Sequence, residues 1–214
     1  MGTDARVERR GWRHWLYAKL LARFSAKYEP MIIERKSELL GGLTGEIIEI
    51  GPGAGVNLKF LDEGARWVGV DPNPYMEPYV RREAERRGVS AEFRLGAAED
   101  LPADTGSADA IISTLVLCGV GDVDRALEEV LRVLKPGGRF CFIEHVAAPH
   151  GTRTRRRQDW ICPLWKRLAD GCHPNRESWR HIEQAGFAAI TCEHFRLDLP
   201  IAGPHIAGCA VKGR

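Results

Sequence analysis

The sequence predicts an α/β domain built on a mostly parallel sheet with helices on both faces. From residue 46 onward, short apolar runs alternate with amphipathic segments, and such strand–helix–strand repetition is typical of a buried parallel sheet. The candidate strands are Glu46–Ile50, Trp67–Asp71, Ala91–Leu95, Asp109–Thr114, Gly138–His145, Ala188–Arg196 and His205–Lys212. Too few residues join the last two for a crossover helix, so we expect them to pair antiparallel at one edge.

Helical spacing of apolar residues marks the segments between the strands. Pro74–Arg87, Asp122–Leu134 and Arg176–Ala185 are predicted helices, and Asn175 is the expected cap of the last one. Residues 149–175 show no clear period and contain several Gly and Pro residues. We therefore expect an irregular insertion there, of a length that is usually functional or mobile.

The first 45 residues differ from the rest and are predicted to form N-terminal cap helices, followed by one domain over residues 46–214. Apolar residues recur at helical spacing with arginines between them: Trp12, Trp15, Leu16, Leu20, Leu21 and Phe24. This pattern has three interpretations. The segment covers a ligand, lies as a basic amphipathic surface on a membrane, or packs against the sheet.

Composition limits the function classes. The chain has 214 residues, of which 44% are hydrophobic, enough for one sizeable core. The net charge of +2 is too small to require a polyanionic partner. No run of 18 apolar residues and no signal-peptide pattern occurs, so we expect neither a membrane-spanning helix nor secretion. The six cysteines form no CxxC pair, which predicts a reduced, cytoplasmic protein without a metal site.

A glycine-rich loop is the sharpest motif. Residues 49–55 read Glu-Ile-Gly-Pro-Gly-Ala-Gly, directly after the first strand, and are expected to open a helix. Glycines at 51, 53 and 55 let the backbone approach a ligand closely. Twenty residues past Gly51, Asp71 ends the second strand, where a carboxylate can hold both hydroxyls of a ribose. This combination fits any adenosine-containing cofactor.

Three features distinguish between such cofactors. Val56 stands where the third glycine of a pyrophosphate-binding loop would be, which disfavours a dinucleotide. The run Gly-Ala-Ala-Glu-Asp-Leu-Pro over 96–102 follows the third strand and supplies acidic acceptors for an adenine amino group. The run Leu-Arg-Val-Leu-Lys-Pro-Gly-Gly over 131–138 closes a helix and turns into a strand.

With these three elements in this order, the chain resembles the class I S-adenosylmethionine-dependent methyltransferases. The resemblance implies a Rossmann-like sheet of seven strands with an antiparallel C-terminal hairpin. It also implies S-adenosyl-L-methionine as cofactor and S-adenosyl-L-homocysteine as product. The residues that it assigns to the cofactor are Glu49, Gly51, Gly53, Gly55, Asp71, Pro72, Asn73, Ala98, Glu99, Leu115 and Val116.

Further motifs resemble one branch of that family, the methyltransferase-like alkyl thiol S-methyltransferases. They are Val70–Pro74, Ser113–Cys118, Phe142–Ala148, Asp170–Trp179 and Pro204–Gly208. Members of that branch carry an apolar N-terminal anchor, a pattern that residues 1–45 do not show. The resemblance implies methyl transfer to a small thiol or to hydrogen sulfide.

Histidines are the candidates for assisting a thiol, because the thiolate is the reactive form. His145 ends a strand beside Glu144, and His173 follows Cys172 in the expected insertion; both are predicted catalytic residues. For His205 we expect a structural role, and for Cys118 small apolar packing. Trp160 and Trp165 are the predicted substrate lid, and Arg153–Arg157 is either an anion contact or a solvated face.

The sequence leaves three alternatives to a thiol acceptor open. In the first, the acceptor is an oxygen, nitrogen or carbon of a small metabolite, quinone or lipid headgroup. In the second, the enzyme acts on nucleic acid, and in the third, the chain binds the cofactor without turnover. The low net charge and the run Thr114–Leu117, in place of an Asn/Asp-Pro-Pro-aromatic tetrad, disfavour nucleic acid. Dispersed cysteines disfavour methylation of a metalloid. A small-molecule acceptor is therefore the favoured partner.

Overall fold

The computed structural model describes residues 11–62 and 64–214. The side chains of Arg13 and of residues 21–27 lie outside this description. Residues 1–10 of the predicted N-terminal segment therefore cannot be compared with the structure, nor can the side chains of Leu21 and Phe24.

A seven-stranded sheet forms the centre of the molecule, with strand order β3-β2-β1-β4-β5-β7-β6. The strands are β1 (Glu46–Ile50), β2 (Arg66–Asp71), β3 (Ala91–Leu95), β4 (Ala108–Thr114), β5 (Leu134–His145), β6 (Ala189–Arg196) and β7 (Pro204–Val211). The first five pair in parallel, whereas β7 runs antiparallel to both β5 and β6. The predicted fold class and the C-terminal hairpin are confirmed.

The helices are α1 (Trp12–Leu40), α2 (Glu77–Arg87), α3 (Val123–Val133), α4 (Arg153–Leu168) and α5 (Ser178–Gln184). Asp122 caps α3 by accepting the Arg125 amide hydrogen, and α2 ends at Gly88, whose φ of +66° suits glycine. One face of the sheet packs against α3 and α5. The other packs against α1 and α2. The expectation of helices on both faces is confirmed.

The segment over 149–175 is not irregular, and that prediction is wrong. Sixteen of its residues form α4, which Thr152 caps by accepting the Arg155 amide hydrogen at 3.1 Å. Arg155 also pairs with Asp159 one turn later, a contact that supports a helix. Pro163 lies inside this helix, and it obscured the helical period in the sequence.

Two smaller predictions also need correction. Asn175 does not cap α5; its side-chain amide donates to Asp159 on α4 at 2.8 Å instead. The glycine-rich loop opens only a short 3₁₀ helix, Val56–Phe60. A second 3₁₀ helix, Pro74–Met76, precedes α2.

In the described part of the N-terminal segment, a single helix continues through Pro30 to Leu40. Its inner face contributes Ile32, which is 1% exposed and packs with Ile143, Leu197 and Ala207 of the sheet side. Its outer face leaves several large apolar side chains exposed: Trp12, Trp15, Leu16 and Leu20. Within residues 11–62 and 64–214, no helix combines the length and hydropathy that crossing a bilayer requires.

We expect Ile32→Ala to destabilise the fold by about 2–5 kcal/mol, because it leaves a cavity between α1 and the sheet. The matched control is Ile33→Ala, whose side chain is 41% exposed and whose truncation should cost less than about 0.5 kcal/mol. Urea denaturation of both variants measures the difference. Equal losses would show that α1 is not held by this contact.

Candidate active site

The carboxyl ends of the parallel strands meet at one edge of the sheet, and the predicted site residues lie there. Gly51, Gly53 and Gly55 all have positive φ, at 59°, 54° and 74°, a conformation that a side chain disfavours. A Cβ on Gly51 would lie 2.6 Å from Val116. The loop after β1 and the loop after β4 therefore pack closely together, and position 51 has no room for a side chain.

Asp71 ends β2 at this edge and is only 8% exposed. Its Oδ1 accepts the Asn73 amide hydrogen at 2.8 Å. The Asn73 side chain donates to the carbonyl of His14 on α1 at 3.1 Å and accepts from the Tyr75 amide. Asn73 thus ties α1 to the end of β2, and Pro72 lies between these two polar residues.

Glu49 lies below the glycine-rich loop and is fully engaged by protein groups. Its two oxygens accept from Asn57 at 2.8 Å and from the Trp67 indole at 3.0 Å. Burial raises the pKa of Glu49 to about 7, against the lowering effect of the Lys36 charge. Glu49 is predicted to bind the cofactor, but its hydrogen bonds are to Asn57 and Trp67, and they support the glycine-rich loop.

Ala98 and Glu99 follow β3 on the same edge. Ala98 is 5% exposed. One carboxylate oxygen of Glu99 accepts the amide hydrogens of Gly121 at 2.9 Å and Asp122 at 3.3 Å. This carboxylate therefore also holds the loop that precedes α3.

The turn after β4 is strained and is held by a buried carboxylate. Leu115 has a φ of +59° although it carries a side chain, a strain that often marks functional sites. Glu144 Oε1 accepts from the Ser113 hydroxyl at 2.7 Å and from the Val116 amide at 3.0 Å. Burial raises the pKa of Glu144, against these hydrogen bonds.

His145 meets two cysteines that are far apart in the sequence. Its Nε2 lies 3.0 Å from Cys172 Sγ, and ligand atoms of His145, Cys118 and Cys172 all lie within 4.8 Å of one another. The Cys118 thiol and His145 lower the pKa of Cys172 to about 4. Burial depresses the pKa of His145, but the contact with Cys172 outweighs it and raises that pKa. Two of the six cysteines that are dispersed in the sequence therefore meet in the fold.

His173 belongs to a neighbouring network rather than to this cluster. Its Nδ1 accepts from Arg176 Nη2 at 3.1 Å. The same guanidinium donates to the carbonyls of Leu117 and Val120, both at 2.6 Å. Arg176 therefore fixes the loop that carries Cys118, and burial lowers the pKa of His173.

His205 occupies a structural position. It pairs with His145 across β5 and β7, its Nδ1 donates to the Gly203 carbonyl at 2.8 Å, and its Nε2 accepts from the Tyr28 hydroxyl at 2.6 Å. Burial lowers the pKa of His205 to about 4. The His205 ring is therefore neutral, and its hydrogen bond with Tyr28 links α1 to the sheet.

The two tryptophans of the predicted lid lie in different surroundings. The Trp165 indole donates to Cys172 Sγ at 3.3 Å and so forms a wall of the cysteine–histidine cluster. Trp160 is 83% exposed on the outer side of α4. The structure brings only Trp165 close to the candidate catalytic residues.

Sequence reasoning missed Tyr17, Arg176 and the proximity of Cys118 and Cys172 to His145. Burial raises the pKa of Tyr17, and the charges of Asp170, Cys118, Cys172 and Asp71 raise it further, in that order. Spacing carried no signal for these residues, because they come from α1, the β4 loop and the segment after α4.

Comparison with known proteins agrees with this geometry. A methyltransferase domain profile matches residues 48–142. The human thiol S-methyltransferase TMT1A is 39% identical over an alignment of 205 residues, and the match covers 90% of this chain and 84% of that protein. The similarity therefore extends well beyond the residues that the domain profile covers.

Solved structures share the fold at low sequence identity. The putative methyltransferase in complex with the Haloferax volcanii Trm112 activator has a TM-score of 0.74 and 17% identity, and the match covers 97% of this chain and 100% of that one. The geranyl diphosphate C-methyltransferase of Streptomyces coelicolor, solved with S-adenosyl-L-homocysteine, has a TM-score of 0.66 at 18% identity, covering 88% and 76%. The chain therefore belongs to the S-adenosylmethionine-dependent methyltransferases, in the family of the thiol S-methyltransferase TMT1A.

Proposed function

We propose that the chain transfers a methyl group from S-adenosylmethionine to a small thiol, such as an alkyl thiol or hydrogen sulfide. The observation that carries this proposal is the 39% identity to human TMT1A over 90% of the chain. The convergence of Cys118, His145 and Cys172 at the carboxyl edge supports it, because these groups suit the handling of a sulfur nucleophile.

The residues present at this edge fit the cofactor. The glycine-rich loop carries no side chains at Gly51, Gly53 and Gly55, where φ is positive, and the Asp71 carboxylate is positioned by its bond to the Asn73 amide. We propose that Gly51, Gly53 and Gly55 hold the methionine portion and Asp71 the ribose. When bound, S-adenosylmethionine supplies an electrophilic sulfonium methyl group.

The other predicted cofactor residues take two kinds of role in this proposal. Ala98, Leu115 and Val116 line the pocket, whereas Glu49, Asn73 and Glu99 position the loops around it through the contacts described above. Pro72 sets the turn between Asp71 and Asn73. Direct contact with the cofactor therefore depends chiefly on Asp71 among the polar side chains.

Asp71→Ala should weaken the binding of S-adenosyl-L-homocysteine about 10- to 100-fold, because it removes charged hydrogen-bond acceptors at a mostly buried site. Isothermal titration calorimetry measures this change. Asp104→Ala, in an exposed turn, is the matched control and should bind as the wild type does. Unchanged affinity in Asp71→Ala would contradict the assignment of this pocket.

A thiol acceptor requires little from the protein beyond alignment and deprotonation. Near neutral pH a few per cent of a free thiol is already thiolate, and in-line placement against the methyl carbon supplies much of the remaining acceleration. His145 is engaged by Cys172, so we propose that it assists the acceptor together with that thiol. His173 is held by Arg176 and supports the loop, and Trp165 is a wall of the acceptor site.

Release of S-adenosyl-L-homocysteine with a panel of acceptors tests the proposed activity. We expect turnover with alkyl thiols and hydrogen sulfide and none with phenols, amines or quinones. Asp71→Ala is the control for background release. Turnover confined to phenols, amines or quinones would overturn the thiol assignment while leaving the cofactor pocket intact, and inactivity on every acceptor would favour a binding protein.

We further propose that residues 1–45 cap the domain over 46–214 and touch a membrane from the cytoplasmic side. Exposed apolar side chains lie on two helices that line a common cavity of about 270 Å³: Trp12, Trp15, Leu16 and Leu20 on α1, with Trp160, Leu164 and Leu168 on α4. Lys166 and Arg167 line the same cavity, and such basic groups suit anionic headgroups. All six cysteines are free thiols, which supports a reducing compartment.

Co-sedimentation with phosphatidylcholine vesicles, with and without phosphatidylserine, tests this surface. We expect the double variant Leu164→Ser/Leu168→Ser to bind vesicles about tenfold more weakly, because both side chains lose apolar area to bury. Leu95→Ser, at an exposed site on β3, is the control. Equal vesicle binding by the wild type and the double variant would show that the exposed face of α4 does not contact the membrane.

A further inference from the structure

Three potential metal ligands converge from three separate parts of the chain. Cys118 follows β4, His145 ends β5, and Cys172 lies just beyond α4. Their ligand atoms all lie within 4.8 Å of one another, and the His145 Nε2 to Cys172 Sγ distance is 3.0 Å. Cys118 and His145 are only 3% and 6% exposed, so the cluster lies inside the fold rather than on its surface.

Two thiols and one imidazole form a donor set that zinc prefers. Zinc binds cysteine sulfur at about 2.3 Å and histidine nitrogen at about 2.0 Å in a tetrahedron, which places ligand atoms about 3.5–3.8 Å apart. The His145 Nε2 to Cys172 Sγ distance of 3.0 Å is shorter than this range by less than 1 Å, and all the ligand atoms lie within 4.8 Å of one another, so small side-chain adjustments complete the geometry. We propose that Cys118, His145 and Cys172 bind one zinc ion, and that its fourth position takes the acceptor thiol.

Three protein ligands converge here among the described residues, which leaves the fourth position of a tetrahedral ion for an exchangeable group. The Cys118 thiol contacts the carbonyl of Leu115, on the strained turn that borders the pocket, at 3.5 Å. Catalytic zinc sites characteristically have three protein ligands and one exchangeable position, whereas structural sites have four protein ligands.

Hydrogen bonds to the ligands are also in place. The Trp165 indole N–H donates to Cys172 Sγ at 3.3 Å. Arg176 fixes the Cys118 loop through its bonds to the carbonyls of Leu117 and Val120. Such outer contacts orient metal ligands and reduce the charge on coordinated sulfur. The other close pair, Cys141 and Cys209, with sulfurs 2.7 Å apart within the sheet, belongs to no such three-ligand group among the described residues.

This inference rests on the proposed thiol methylation and adds the means of activating the acceptor. A thiol that binds zinc loses its proton to solvent, because a coordinated thiol is deprotonated outright. A lone pair on its sulfur forms the new bond to the methyl carbon. The bond from that carbon to the sulfonium sulfur breaks, and its electron pair stays on that sulfur. The products are a neutral thioether, a poor zinc ligand that dissociates, and S-adenosyl-L-homocysteine.

Metal binding by the full chain is the first test, and it does not depend on activity. Zinc is added to the reduced protein, unbound metal is removed by gel filtration, and the bound metal is measured by mass spectrometry. We expect one zinc ion per chain, and a loss of at least about tenfold in zinc affinity for Cys172→Ser and for His145→Gln. Cys192→Ser, on β6 away from the cluster, should retain the metal. Because His145→Gln keeps a polar side chain of similar size, it serves as a second variant if Cys172→Ser fails to fold.

Cobalt substitution tests the fourth position. We expect tetrahedral cobalt–thiolate absorption in the wild type and a change in the charge-transfer band when an alkyl thiol is added. Thiol turnover by metal-free protein, with no zinc bound after reconstitution, would overturn the zinc site and leave the proposed function standing. One zinc ion per chain without turnover on any thiol would instead overturn the proposed function. A cobalt spectrum that added thiol leaves unchanged would overturn the role of the fourth position.

Discussion

The parallel pairing of β1 with both β2 and β4 is the constraint on which the rest of the structure depends. Because strand order reverses between β1 and β4, the loops that follow these two strands lie at the switch point of the sheet, where open α/β sheets bind ligands. At this point Gly51 packs so closely against Val116 that a Cβ on Gly51 would lie 2.6 Å from that side chain. Everything assigned to cofactor or acceptor lies around this point.

Buried polar groups at the edge act mainly as supports for loops. Glu49 holds Asn57 and Trp67 beneath the glycine-rich loop, and Glu144 holds the turn after β4. A carboxylate that is removed from water needs such partners, since an unpaired buried charge is costly. The strained turn at Leu115 persists because β5 holds it at two points: the Ile143 carbonyl accepts the Leu115 amide hydrogen, and the Glu144 carboxylate accepts that of Val116.

Helix α1 joins the two halves of the site. It contacts the end of β2 through His14 and Asn73 and the end of β7 through Tyr28 and His205, while its outer face exposes apolar side chains. The sequence allowed two functional interpretations of this segment, a cover over the ligand site and a membrane-facing surface. One helix is compatible with both, because its inner face contacts the sheet and its outer face exposes apolar side chains.

The amino-acid sequence by itself determined the sheet, six of the seven strand positions to within about one residue, and the family, because periodicity and the glycine-rich loop are local signals. The sequence did not predict α4, because Pro163 and a run of arginines obscure the helical period. The predicted start of β5 at Gly138 is four residues later than the observed start at Leu134. Only the tertiary structure decided that Cys118, His145 and Cys172 meet, and that Trp165 lies beside them while Trp160 faces outward. Contacts between residues 27 and 54 positions apart depend on how strands and loops pack together, and no local pattern in the sequence records that packing.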